Sequence, residues 1–230
     1  MECIYLPEFN KNFEIQKVNS EQSRHLRALH LNDGDKIMVS NGSGLLSECL
    51  VIREDRNDYR IKSLRIEENP GELYVDIHLA MGLIKSKDRF EFAMEKAIEL
   101  GIKKFIPLIT RYTEKQNVNL ARLESKAVAA MKQSRRSVLT SITSPKYLNE
   151  LLNHNYKNIF LADENGIKLK DFPVKGKTLI LVGPEGGFAK EEKELIRQNV
   201  NTTMIKLGNH RLRSETASVT AVTLVSNLIG

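Results

Sequence analysis

The chain has only two cysteines in 230 residues. Cys3 and Cys49 form no CxxC pair and can close at most one bridge, which excludes a disulfide framework and a cysteine zinc site and predicts free thiols. Asp, Glu, His and Cys nowhere cluster at ligand spacing, so no metal is expected. No segment reaches the roughly 20 uncharged apolar residues that span a bilayer. The opening MECIYLPEFN is acidic, with no basic stretch leading into an apolar run. These absences predict a cytoplasmic protein. Internal repeats and low-complexity segments are also lacking.

Charge is in surplus and unevenly placed. Of 35 Lys+Arg and 29 Asp+Glu, residues 1–70 hold 10 and 12, which leaves 25 and 17 for residues 71–230 within a net charge of +6. The basic surplus thus lies wholly in the second part, where it favours a polyanionic partner or simple solubility.

The two parts also differ in pattern. GDKIMVSNGSGLLSECLVIRE alternates apolar and polar residues around Asn41, Gly42 and Gly44, which predicts short strands in a small β-rich domain over residues 1–70. IEENPGEL gathers charge with Pro70 and Gly71 and reads as a linker. From residue 73 to 230, strands and helices alternate. LYVDIHLAMG, KKFIPLIT, NIFLAD, TLILVG and TMIKLG are apolar runs of the kind that form buried parallel strands. KDRFEFAMEKAIELG puts Phe90, Met94, Ala97 and Ile98 on one helix face with Gly101 placed to end it; LARLESKAVAAMKQSRR and AKEEKELIRQN are further helices. This alternation predicts an α/β fold with an open, mostly parallel sheet covered on both faces. The closing segment SETASVTAVTLVSNLI is uncharged from Thr216 onward. Ser214 is its predicted N-cap, and the helix must bury itself in its own core or against a second subunit.

In open α/β sheets, ligands settle outside the carboxyl ends of the strands. Two glycine-rich loops, VGPEGGF and LGNHRLRSETA, follow apolar runs there. The first lacks the GxxxxGK[ST] and GxGxxG spacings, and Glu185 would repel a pyrophosphate held against the backbone. Alone, its spacing also fits a tight strand-to-helix turn. With the second loop beside it, the pair describes one pocket for a ligand with cationic groups, an adenine held by backbone hydrogen bonds and no phosphate. S-adenosylmethionine is such a ligand.

GPEGGF, followed at this distance by LGNHRLRSETA and a small-residue apolar helix, resembles the knotted SPOUT methyltransferases, specifically the ribosomal RNA small subunit methyltransferase E family. KSKDRFEFAMEKAIELGIKKFIPLITRY is similar to that family's first catalytic-domain unit, KQSRR to its second helix, and RHLRALHLNDGD to its N-terminal pattern. The resemblance implies a PUA-like β-barrel RNA-binding domain over residues 1–70 and a SPOUT domain with a deep trefoil knot over residues 73–230. It also implies a homodimer, S-adenosyl-L-methionine as cofactor, and methylation of N3 of one uridine near the 3′ end of 16S rRNA, in the small ribosomal subunit or its precursor. Carried onto this chain, it assigns Glu164 to a first cofactor-facing loop. Val182, Gly183, Pro184, Glu185, Gly186 and Gly187 fall in the central loop, and Leu207, Gly208, Leu212, Glu215, Thr216 and Ala217 at the terminal one. Three positions depart from the pattern: His30 and His210 stand where it has arginine, and Thr140 where it has proline. Two alternatives remain open, ribose 2′-O methylation of tRNA or rRNA on the same fold and a non-catalytic RNA-binding assembly protein. The N-terminal match weighs against the first, the intact loops against the second.

Uridine N3 is a poor nucleophile until it loses its proton, so the site needs a group that stabilises the anion. Arg213 is the first candidate, with an ion pair to Glu215 or to a neighbouring subunit as its structural alternative. His210 is the candidate base, since histidine titrates at about 6.5. For RNA, the basic residues near predicted strand ends are Lys85, Lys87, Arg89, Arg111, Lys115, Arg135 and Arg136, each of which also reads as a solvated surface charge. Arg24, His25 and Arg27 form a second set, with His25 equally readable as a core histidine.

Overall fold

The structure is a computed structural model and describes residues 1–55, 58–114 and 116–229. Lys115 lies outside the described residues. The chain forms two compact units, Met1–Glu72 with Val128–Leu139, and Leu73–Ala127 with Thr140–Gly230.

The first unit contains β1 (Cys3–Tyr5), β2 (Ile15–Lys17), α1 (Ser20–Ala28), β3 (Lys36–Ser40), β4 (Leu45–Arg53) and β5 (Tyr59–Glu68). They form a sheet in the order β1-β3-β4-β5-β2, with β1 parallel to β3 and every other pair antiparallel. Ile37, Val39, Cys49, Val51, Tyr59 and Ile61 point inward at every second residue and pack on Ile4, Leu6 and Leu26. The predicted turn joins β3 to β4: Asn41 Oδ1 accepts from the N–H groups of Ser43 (2.8 Å) and Leu45 (3.0 Å), while Gly42 and Gly44 take φ of 69° and 105°. Both cysteines are free and buried, and burial pushes each thiol up to about 11, so neither is a nucleophile at neutral pH.

Residues 128–139 complete this unit. Ser40 Oγ donates to the Arg136 carbonyl at 2.9 Å, Gly44 N–H to the Ser137 carbonyl at 2.9 Å, and Leu139 N–H to the Gly42 carbonyl at 2.9 Å. The Arg136 guanidinium meets Glu72 at 2.6 Å with side chains only 7% and 4% exposed. Glu72 anchors the end of IEENPGEL, within which the division between the two units falls. Arg136 is turned inward onto a carboxylate, away from any phosphate outside, which corrects its reading as a phosphate contact.

The second unit contains β6 (Ile77–Gly82), α2 (Lys87–Glu99), β7 (Lys104–Ile109) and the first part of α3 (Leu120–Gln133). After residue 139 come β8 (Ser141–Ile142), β9 (Lys146–Tyr147), α4 (Leu148–Leu152) and β10 (Asn158–Ile167), then β11 (Thr178–Val182), α5 (Lys190–Arg197), β12 (Thr202–Ile205) and α6 (Ser214–Asn227). The sheet order is β12-β10-β11-β6-β7-β8, with β9 also on β7, and every pairing is parallel as the apolar runs predict. Both faces of β6 are covered. Ala80 joins a core with Leu161, Leu181, Phe188 and Ile196, and its alternate neighbours Ile77, Leu79 and Met81 are fully buried. Gly101, at φ 98°, follows the end of α2 where its position predicts a left-handed cap.

Helix α6 packs on α2, β6 and β11 through buried Ala217, Ala221, Val222 and Val225. Its N-cap is Arg213, not Ser214. Arg213 is still extended (φ −70°, ψ 155°) and its carbonyl accepts the Ala217 N–H at 2.8 Å, so Ser214 is already the first helical residue and cannot serve as the cap. Thr140, where the family pattern has proline, donates its hydroxyl to the Ile102 carbonyl at 2.7 Å, a bond proline could not make. Among the described residues, no helix is long and apolar enough to cross a membrane.

Candidate active site

Three parallel strands, β10, β11 and β12, deliver their carboxyl ends to one cavity of about 650 Å³. Its walls are Ala162–Asn165, Val182–Phe188, and a third stretch made of Lys206–Gly208 and His210–Ser214 that adds Ala217 on α6. The volume is within the roughly 300–1,000 Å³ of small-molecule sites.

Local rules explain the central wall. Gly187 takes φ 68° and its N–H closes a turn on the Pro184 carbonyl at 2.8 Å. Glu192 then fastens two main-chain groups at once. One carboxylate oxygen accepts the Ala189 N–H at the start of α5 and the other the Arg111 N–H after β7, both at 2.8 Å. Beneath the turn, Gly82 at the end of β6 lies against Pro184, where a Cβ would run into the proline nitrogen and ring. At the first wall, β10 continues past the predicted NIFLAD to Ile167. Its pairing with β12 shifts between Ala162 and Ile167, so Glu164 sits on an irregular strand rather than in a loop. That irregularity passes close to β12: a Cβ on Gly166 would be 2.5 Å from the Ile205 carbonyl carbon.

The charges around the cavity are organised in pairs. Asp163 binds Lys193 at 2.7 Å. Burial pushes the Asp163 carboxyl up, but the Lys193 hydrogen bond and the Asn165 N–H outweigh it and hold it below the usual carboxylate range. Arg211, exposed, donates to the Glu185 carbonyl at 3.4 Å and lies 3.9 Å from Glu164, linking all three walls. Arg89 on α2 reaches Glu185 at 3.5 Å and Glu215 at 3.4 Å. The other oxygen of Glu215 is buried without a hydrogen-bond partner among the described residues.

Of the expected cofactor positions, the cavity gathers Glu164, Val182, Gly183, Pro184, Glu185, Gly186, Gly187, Leu207, Gly208, Leu212 and Ala217, along with His210 and Arg213. Glu215 and Thr216 are corrections. Glu215 is turned to Arg89, which also removes it as a partner for Arg213, and Thr216 is exposed away from the lining. Sequence reasoning missed Asp163, Asn165, Phe188, Lys193 and Lys206. Phe188 closes the GPEGGF motif and was overlooked within it; the others owe their place to strand order, although the charge in DEN and IKLG was a usable signal.

The expected RNA residues divide between the units. Lys85 pairs with Glu114 at 2.8 Å, Lys87 and Arg111 are exposed, and Arg89 is occupied by two carboxylates, a correction to its reading as a phosphate contact. In the first unit, Arg24 and Arg27 face a second cavity on α1, and exposed Arg135 donates to the Met1 carbonyl at 2.8 Å. His25 is half-buried. Desolvation first, then Lys132, pushes its pKa down, so it carries no fixed charge for phosphate at neutral pH.

An RNA methyltransferase domain family matches residues 71–226. The ribosomal RNA small subunit methyltransferase E of Rickettsia conorii is 34% identical over 228 residues, spanning 94% of this chain and 90% of the relative. That of Aquifex aeolicus is 30% identical over 234 residues, spanning 99% and 100%. A crystal structure of the Neisseria gonorrhoeae enzyme of the same name, described as bound to S-adenosyl methionine, shares the fold. Its TM-score is 0.89 at 24% identity, with 99% of this chain and 98% of that one covered. By the matched domain and by full-length identity to these relatives, the chain belongs to the ribosomal RNA small subunit methyltransferase E family.

Proposed function

We propose that the protein is an S-adenosylmethionine-dependent methyltransferase that modifies N3 of one uridine near the 3′ end of 16S rRNA. One observation carries the reading: the cavity at the carboxyl ends of β10, β11 and β12, lined by two glycine loops and by Glu164 and Glu185. The residues suit the cofactor. Open backbone at Gly187 and Gly208, where a Cβ would meet nothing within 4 Å, leaves room for an adenosine to reach the main chain. The carboxylates oppose a cationic centre, and no lysine stands in the central loop to cradle a phosphate. Bound there, S-adenosylmethionine supplies an electrophilic methyl group on sulfonium.

The chain's own side chains do the rest. Uridine N3 must lose its proton before it can accept a methyl. Arg213, on the cavity wall and free of Glu215, sets a guanidinium against the resulting anion. His210, three residues earlier on the same wall, is the base that takes the proton. The glycine loops orient the donor so that the base edge meets it in line, which supplies much of the acceleration. Lys85, Lys87 and Arg111 in the second unit and Arg24, Arg27 and Arg135 in the first are the phosphate contacts of this reading, and they make binding weaken steeply with salt. The reading includes a PUA-like first unit and a trefoil knot. It also includes a homodimer in the cytoplasm. Half-buried Val219, Thr220, Thr223 and Leu224 on α6 offer the surface for a second copy.

The test combines a cell and a variant. A methyl on N3 blocks Watson–Crick pairing and stops reverse transcriptase, so deleting the gene should abolish one primer-extension stop on 16S rRNA; an unchanged stop rejects the target. Arg213→Ala should lower kcat about 100-fold while leaving the calorimetric heat of S-adenosylmethionine and the melting curve unchanged.

A further inference from the structure

Apart from Arg111, the turn after β7 plays no part in that mechanism, yet it is held at several points. Thr113 N–H donates to the Thr110 carbonyl at 3.1 Å, Thr110 N–H donates to Thr113 Oγ1 at 2.9 Å, and the two hydroxyls lie 3.2 Å apart. Glu192 holds the intervening Arg111 N–H at 2.8 Å. This fastened turn displays Tyr112, 54% exposed.

Exposed aromatics are common on surfaces, and Tyr74, 77% exposed, is one of them. Tyr112 differs in what its root touches. A Cβ on Gly186 would lie 3.0 Å from Tyr112 Cβ, 3.2 Å from Cγ and 3.3 Å from Cδ2, so the absence of a side chain at 186 lets the ring lie directly on the loop that lines the cavity. Inside the cavity wall, Phe188 is buried in the core and offers no face. Cations flank the ring: Arg111 precedes it, exposed, and Lys85 is tied to Glu114 just beyond it.

We propose that Tyr112 is a stacking platform for an unpaired RNA base at the rim of the cavity, a subsite that rests on the methyltransferase reading and extends it. A base presented edge-on to a methyl donor leaves its faces, or those of its strand neighbour, without the stack they had in the RNA. A tyrosine ring on a rigid turn replaces that stack without regard to sequence, while Arg111 and Lys85 take the adjoining phosphates. The half-exposed ring then becomes covered in the complex.

The experiment uses the full-length protein, S-adenosylmethionine and a short single-stranded oligouridylate carrying 5-iodouridine. Irradiation should attach the probe to Tyr112, read by mass spectrometry of the digested complex. Tyr112→Ala should weaken binding of the unmodified oligouridylate about tenfold, the size of one lost stack, and Tyr112→Phe should bind like the parent. S-adenosylmethionine affinity should be equal in all three. Equal RNA binding by Tyr112→Ala and the parent overturns the platform while leaving the methyltransferase reading intact. So does a loss in Tyr112→Phe as large as in Tyr112→Ala, because the hydroxyl would then be the contact. A parallel fall in cofactor affinity makes Tyr112 a support for the Gly186 loop and likewise overturns it. A parent protein that binds cofactor but not the oligouridylate overturns the platform, and one that also fails to bind 16S rRNA removes both readings.

Discussion

At the amino ends of the second unit's sheet, polar groups close on one another. At the carboxyl ends of the same strands they are left facing a cavity. His78, near the start of β6, places Nδ1 2.9 Å from the Tyr156 hydroxyl and Nε2 3.3 Å from the Asp76 carboxylate, and the Lys177 ammonium lies 4.9 Å from the centre of the Tyr156 ring. Those groups are mutually satisfied, and His78 is buried. At the other end, Arg211 is exposed, Arg213 lines the cavity and the space beside Gly187 and Gly208 is open. Charge content does not distinguish the ends. What does is whether side chains consume the charges and main-chain groups, or glycine leaves them available.

Four measurements can break or sharpen that contrast. The largest effect is expected at the carboxyl end. Gly82→Ala drives a methyl into the Pro184 nitrogen and ring, which should cost about 3 kcal/mol of stability, the upper end for overpacking. It should also abolish the calorimetric heat of S-adenosylmethionine; a variant that melts and binds like the parent would show that this end tolerates change as an ordinary surface does.

Next is Arg89→Met, which strands the buried carboxylate of Glu215. Because Arg89 is 36% exposed, the loss should be about 1–2 kcal/mol rather than that of a fully buried pair, and adding Glu215→Gln should restore most of it in urea unfolding.

The smallest effect is at the amino end. Tyr156→Phe should cost about 1 kcal/mol and leave cofactor affinity untouched. Acid probes the same cluster. Desolvation pushes His78 down to about 4, with Asp76 opposing and Lys104 and Lys177 assisting. An unfolded histidine takes its proton near ~6.5. The stability contributed by neutral His78 is therefore fully present above that value and is lost as pH falls from there through about 4. His78→Gln should flatten the acid limb of the melting-temperature profile.

The sequence is most readable where its apolar runs are long. The strands β6, β7, β10, β11 and β12 and the helices α2, α3, α5 and α6 all follow from such runs and their caps. Helix α1 escaped because it buries only Ser23 and Leu26, and β8 and β9 because two residues carry no period. The glycine loops announce the pocket because close approach requires them. Asp163 and Lys193 do not, because their ion pair joins strand β10 to helix α5, whose adjacency exists only once strand order is known. Arg136 was misread for the same reason. An arginine in a basic run such as KQSRR looks like surface until Glu72, far off in the chain, is seen beneath it.

The first unit is not one uninterrupted stretch of chain, and that has a practical consequence for dissecting the enzyme. Severing the polypeptide after Glu72 would discard the very strap that receives Ser40 and Gly44 and would leave the Glu72 carboxylate without its guanidinium. An amino-terminal fragment trimmed at that obvious Pro-Gly bend should therefore be soluble only if residues 128–139 are grafted back or supplied in trans. The contributions of the two units would then have to be separated by point substitution rather than by scissors.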